Sequence, residues 1–281
     1  MIRLLVCVDG SSYAASCCQH AAWIANRVEC SVELVYVTDL RQFEVPFVAD
    51  LSGSLGIQPF QAVMGQLQEL EEQKAEVILS TAANVLLESG YEGALAKSHK
   101  TGFLVDCLTE LEADADLILL GKRGDNANFA TEHLGSTMER VVRSSSKPCF
   151  IASRSFADVS KILFAYDSSQ SCQLALDFIA NSELFRGLEI HLITVSQNDE
   201  EADCLEALKG AEETLVQAGC QPICQMLHGL TSQSISKYSK ENDIDLLVMG
   251  AYGHSRIRHL IIGSTTTEML CDCRLPTLMF R

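Results

Sequence analysis

No stretch of this chain approaches the roughly 18–20 consecutive apolar residues that a membrane-spanning helix requires. The opening Met1–Asp9 run breaks at a charge before it could form the apolar core of a secretion signal. Both absences lead to the expectation of a soluble, cytoplasmic protein with no membrane partner. Basic residues are also scarce: 21 Lys and Arg stand against 37 Asp and Glu, a formal net charge of −16. That excess repels nucleic acid, which is therefore not an expected partner. It also means that an anionic ligand would have to find its positive field in backbone dipoles. Twelve cysteines are present, yet no pair has the C-x-x-C spacing. Cys17-Cys18, Cys220-x3-Cys224 and Cys271-Asp272-Cys273 are poorly spaced for zinc. Cys7 and Cys172 fall in apolar patterns, where a free thiol behaves as a small hydrophobe in a reducing compartment.

Catalytic motifs are missing as well. There is no G-x-x-x-x-G-K-S/T loop, no G-x-G-x-x-G after an opening strand, no H-E-x-x-H and no G-x-S-x-G. No nucleophile is paired with a base, so the chain is not expected to be an enzyme.

What is present is a repeat. Arg3–Val8 reads as a buried parallel strand ending at Asp9, with Gly10-Ser11-Ser12 as turn and helix cap. Lys161 to Tyr166, then Asp167-Ser168-Ser169, restate it. Asp9 to Asp167 and Val37 to Val195 are each 158 residues apart. Gly90 to Gly219, His99 to His228 and Gly121 to Gly250 are each 129 apart. Gly135 to Gly263 and Pro148 to Pro276 are each 128 apart. Seven landmarks whose spacing changes at two places mark one duplication. The first copy carries 29 extra residues before the end of its long helix, expected over Gln66–Ser89, and one extra residue in its glycine loop.

Alternating strands and helices predict an α/β chain of two tandem doubly wound domains, 1–154 and 159–281. Each would be a five-stranded parallel sheet flanked by helices. In such sheets ligands sit beyond the strand carboxyl ends, where strand order reverses. Asp9, Val37 and Gly121 in one copy, and Asp167, Val195 and Gly250 in the other, fall at those ends. His99 and His228 are expected to end the third strand of each copy.

The stretch Leu246–Gly250 followed by Ala251-Tyr252-Gly253, and then Gly263-Ser264-Thr265, reads as a strand, a glycine turn, a loop and a helix start. Glycines permit close backbone approach to a phosphate, and the helix start supplies unpaired N–H donors. The first copy spaces its loop as Gly121-x2-Gly124-x10-Gly135-Ser136-Thr137. Asp125 and Glu132 lie inside that loop and are partly balanced by Lys122, Arg123 and His133.

Gly250-x2-Gly253-x9-Gly263-Ser264 resembles the ATP-binding signature of the universal stress proteins, and the likeness spans nearly the whole chain. It implies an adenine nucleotide alpha-hydrolase-like fold and a regulatory stress-response protein that binds ATP, alone or with Mg2+. Any hydrolysis would be slow. By family position Asp167 and Asp9 would contact the adenosine, and Val195 and Val37 the adenine. Met249, Gly250, Gly253, Gly263, Ser264 and Thr265 would hold ribose and phosphates. Gly121, Gly124, Gly135, Ser136 and Thr137 would do so in the first copy, where the extra residue departs from the signature. His254, Arg256, Arg258 and His259 stand near enough in sequence to approach phosphates. Single-domain members of the family pair through their last strand. Here Cys149–Ala152 and Thr277–Phe280 could supply that pairing within one chain, with a homodimer as a further possibility. The competing readings are a nucleotide-free scaffold and an adenylyl-transferring enzyme.

Overall fold

A computed structural model describes residues 1–39, 59–124, 136–196, 201–251 and 264–281. The first half runs β1 (Ile2–Cys7), α1 (Ser12–Ala25), β2 (Cys30–Asp39), α2 (Pro59–Glu88), β3 (Leu95–Gly102), α3 (Leu104–Leu111), β4 (Leu117–Gly121), α4 (Ser136–Ser144) and β5 (Cys149–Ala152). The second runs β6 (Lys161–Ala165), α5 (Gln170–Asn181), β7 (Glu189–Ser196), α6 (Glu201–Gln217), β8 (Ile223–His228), α7 (Thr231–Glu241), β9 (Leu246–Gly250), α8 (Ser264–Asp272) and β10 (Thr277–Phe280).

The ten described strands form one sheet in the order β3-β2-β1-β4-β5-β10-β9-β6-β7-β8. Pairing is parallel inside each half. Among the described strands it is antiparallel only where β5 meets β10, with Phe150 opposite Leu278. The two strands whose edges needed cover therefore cover each other. Arg27, just beyond α1, reinforces the junction by donating from Nε to the Leu184 carbonyl at 2.6 Å and from Nη2 to the Arg186 carbonyl at 2.5 Å.

Successive residues on a strand point to opposite faces, so the near-continuous apolar strands feed two cores. Leu4, Val6, Leu119 and Phe164 pack under α1, α2, α5 and α6. Leu5, Ile118, Leu163 and Leu247 pack under α3, α4, α7 and α8. The helices consequently cover both faces, and the strand carboxyl ends form a rim along one side of the sheet.

Three elements depart from the sequence reading. The long helix begins at Pro59, seven residues before the expected Gln66. Proline suits a first helical position because its missing N–H would be unpaired there anyway. The polar strand β3 continues to Gly102 because it pairs with β2 all the way to Asp39. Helix α7 escapes a hydropathy reading because Ser232, Ser236 and Ser239 are buried beside Ile235 and Tyr238.

His20 on α1 gives this core a pH dependence. The ring is fully buried, lies 4.9 Å from the rings of both Phe150 and Phe156, and places Nδ1 2.8 Å from the Ser16 carbonyl. The carbonyl must accept, so Nδ1 carries the proton, and Nε2 has no hydrogen-bond partner. Burial lowers the His20 pKa from 6.5 to about 4. Between those values the unfolded chain binds a proton that the folded chain refuses, so stability is lost as pH falls from about 6.5 toward 4. From His20 alone, urea unfolding is expected to lose about 2 kcal/mol between pH 7 and pH 5. His20→Phe should remove that part of the slope, and an equal slope in both proteins would count against it.

Candidate functional site

In each half the chain leaves its first strand to one side and returns on the other. Strand order therefore reverses between β1 and β4, and again between β6 and β9. Asp9 and Asp167 stand at these two reversals. Each accepts a hydrogen bond through Oδ1 from the backbone N–H two residues on, Ser11 or Ser169, at 3.0 Å. The intervening residue is left-handed in both: Gly10 at φ 81° and Ser168 at φ 57°. The capping residues are Ser11 and Ser169, whose hydroxyls accept from Ala14 and Cys172. The aspartates thus set the turn that starts α1 and α5, while Asp167 lies exposed and Asp9 half-buried at the rim.

Glycines pack against both of these turns. A Cβ on Gly124 would lie 2.9 Å from Asp9 Oδ2, and one on Gly121 would lie 2.6 Å from the Tyr13 Cβ. A Cβ on Gly250 would collide with Ser171 Oγ and sit 3.2 Å from Cys172 Sγ. At both reversals a strand end therefore packs directly on the first turn of a helix, and only glycine fits there. Val37 and Val195 are half-buried on β2 and β7, facing the α3 and α7 side. The Met249 side chain is buried in that core, which leaves its main chain nearest the rim.

Helices α4 and α8 begin at Ser136 and Ser264, so Thr137 and Thr265 occupy their first turns. Gly135, Gly253 and Gly263 lie outside the described residues, as do His254, Arg256, Arg258, His259, Asp125, Glu132 and His133. A residue that the sequence reading missed is Thr266. It is buried, and its hydroxyl donates to the Ala251 carbonyl at 3.0 Å, tying the start of α8 to the end of β9. The corresponding position in the first half is the buried apolar Met138. Only the 128-residue offset, applied position by position, would have exposed that difference.

One expectation needs correction. His228 does end β8, but His99 lies three residues before the end of β3. His99 Nε2 meets Thr38 Oγ1 at 2.9 Å, in a cluster that brings Tyr36 and Thr38 to Glu71 of α2. His228 instead stands 3.5 Å from Glu201. The matched histidines therefore share neither register nor role: His99 pairs with Tyr36 of β2, whereas His228 pairs with Ser196 of β7, the counterpart of Thr38. Lys122, expected as a loop cation, is buried, and its ammonium donates to the Cys273 carbonyl in the other half.

The thiols near the rim are poorly suited to nucleophilic work. Burial pushes Cys172 and Cys7 up to about 12, with Asp167 and Asp9 adding to the shift. None of the described cysteines is joined in a disulfide. Among the described residues no group of His, Cys, Asp and Glu is arranged to hold a metal ion. No described helix is long and apolar enough to cross a membrane.

A model of the Universal stress protein family matches residues 1–153 and 159–281. A universal stress protein of Synechocystis sp. is 43% identical over 288 aligned residues that cover 100% of both chains. A solved universal stress protein from Archaeoglobus fulgidus superposes with a TM-score of 0.74 at 21% identity, covering 99% of this chain and 98% of that one. A putative universal stress protein from Pseudomonas aeruginosa gives 0.64 at 16% identity, over 99% and 92%. The two solved structures share the fold.

Proposed function

The chain belongs to the universal stress protein family, and from that premise we propose that it is a regulatory module that binds adenine nucleotide, ATP in particular, without efficient turnover. The observation that carries this reading is the convergence at the second reversal. Asp167, Val195 and Gly250 stand at the carboxyl ends of three neighbouring strands, and α8 is tied by Thr266 to the end of one of them. Val195 offers an apolar surface to a base. The exposed carboxylate of Asp167 can accept from a ribose hydroxyl or an adenine amino group. The first turn of α8 supplies N–H donors and the positive end of a helix dipole to phosphates, a field that a net charge of −16 cannot give.

The first half has the same reversal, with Asp9 under Gly124, and is the second candidate pocket. Magnesium accompanying a triphosphate would draw its ligands chiefly from phosphate and water. Regulation follows if ATP favours one arrangement of the loop and helix at the rim, so that nucleotide level biases a surface that a partner reads.

The test is to heat the purified chain and chromatograph the released ligand, then titrate the stripped protein with ATP and magnesium. Adenine nucleotide in the supernatant, or saturable binding at or below millimolar ATP, with phosphate release no faster than the protein-free blank, is the expected result. An empty protein that binds nothing at millimolar ATP would remove the claim, and rapid turnover with a second substrate would move the chain to the adenylyl-transferring class.

A further inference from the structure

We propose that Lys122 is a positioning residue that joins the first-half glycine turn to the helix facing the second-half pocket, so that the two pockets are coupled. Lys122 follows Gly121 in the turn that closes over Asp9. Its backbone N–H donates to the Ala152 carbonyl at 3.1 Å, which fixes the turn to β5. Its side chain crosses the β5–β10 junction, where the ammonium donates to the carbonyl of Cys273, the residue after α8.

Two physical facts make that contact consequential. The last carbonyls of a helix lack intrahelical partners and form the negative end of its dipole, so a cation there is favourable. The Lys122 side chain is also buried, and a buried ammonium is costly unless it is paired. Helix α8 has nine residues and spans about 13 Å. Thr266 ties its front end to Ala251, and Lys122 holds its rear end from the other half. A rigid rod held at both ends moves with either anchor. A ligand that shifts the Gly121–Gly124 turn over Asp9 therefore also shifts α8.

A reciprocal contact runs the other way. Arg281, after β10, places Nη1 3.5 Å from the carbonyl of Ser145, the residue after α4. The duplication does not dictate this pair. The position 129 residues after Lys122 is Ala251, which has no side-chain donor. The crossing contacts belong to the antiparallel junction, which sets the rear of each helix beside the opposite half.

The coupling rests on the nucleotide reading above, whereas the strap itself does not, and the experiment separates them. Amide hydrogen exchange of residues 264–273 is measured in the full chain, as wild type, Lys122→Met and Lys122→Arg, with and without ATP and magnesium. Without nucleotide, Lys122→Met is expected to speed exchange in α8 about fivefold or more, and Lys122→Arg to restore much of the protection. ATP affinity should fall by about the same factor in Lys122→Met. Arg281→Met, a change at the exposed chain end, should speed exchange in α4 and leave α8 alone; it keeps the proposal testable if Lys122→Met fails to fold. Unchanged α8 exchange in Lys122→Met overturns the strap, as does unchanged α4 exchange in Arg281→Met. Faster α8 exchange with unaltered ATP affinity overturns the coupling. No protection of α8 by ATP in the wild type overturns the nucleotide reading and the coupling together, and leaves the strap to be judged on exchange alone.

Discussion

Phe150→Ala is expected to destabilise the chain by about 3–5 kcal/mol, the usual cost of emptying a fully buried aromatic site. Phe150 is 1% exposed and sits on β5, between Leu119 of β4 and Leu278 of β10. Its ring also packs against His20, which already has one unpartnered nitrogen, so the cavity would open beside a polar group rather than collapse onto apolar neighbours. Because β5 carries the only antiparallel pairing among the described strands, the loss falls on the junction that makes two sheets into one. Urea unfolding of wild type and variant should each show one cooperative transition, with the variant midpoint well below the wild type. A loss under about 1 kcal/mol, or two separate transitions in the wild type, would mean that the halves are not joined through this strand.

Gly250→Val is expected to weaken ATP binding more than tenfold while costing the fold about 1–3 kcal/mol, a range typical of overpacking a tight site. The added side chain meets Ser171 Oγ and Cys172 Sγ in the first turn of α5. That turn is capped by Ser169, whose N–H is held by Asp167. Pushing β9 away from α5 therefore displaces the rim glycine and the rim aspartate at once. Gly210→Ala is the control. Gly210 lies in α6, a Cβ there meets nothing within 4 Å, and alanine is the better helix former by about 1 kcal/mol. That variant should bind ATP as the wild type does and be slightly more stable. Equal ATP affinity in Gly250→Val and Gly210→Ala would show that the β9 rim takes no part in binding.

Much of this was legible in the sequence because duplication multiplies weak signals. A single aspartate after an apolar run says little, but Asp9 and Asp167 at a constant offset from each other, with matching valines, fix two strands and two reversals. The pairing of β5 with β10 was legible for a different reason: the family resemblance implied it, and two short apolar edge strands in need of cover agreed with it. What escaped was decided by tertiary contacts that residue type does not encode. The buried serines of α7 count as polar in any hydropathy pattern. His99 continues a strand because β2 runs to Asp39 beside it, and nothing in its own neighbourhood announces that. Lys122 looks like one more loop cation until the antiparallel junction sets the end of α8 next to it. Thr266 reads as one of three threonines in a row, and its hydrogen bond to Ala251 becomes visible only when strand and helix are placed together. The glycines had a further use that sequence could not supply: Gly121 and Gly250 are needed for packing against α1 and α5 whether or not a phosphate comes near.

The most direct test is a titration of the 15N-labelled full chain with ATP and magnesium, read at the backbone amides. The account predicts saturable shifts gathered at Asp167–Ser169, Val195–Ser196, Gly250–Ala251 and the first turn of α8, complete at or below millimolar nucleotide. Shifts absent at millimolar ATP, or confined to a distant surface such as the outer face of α7 around Lys237 and Lys240, would contradict it.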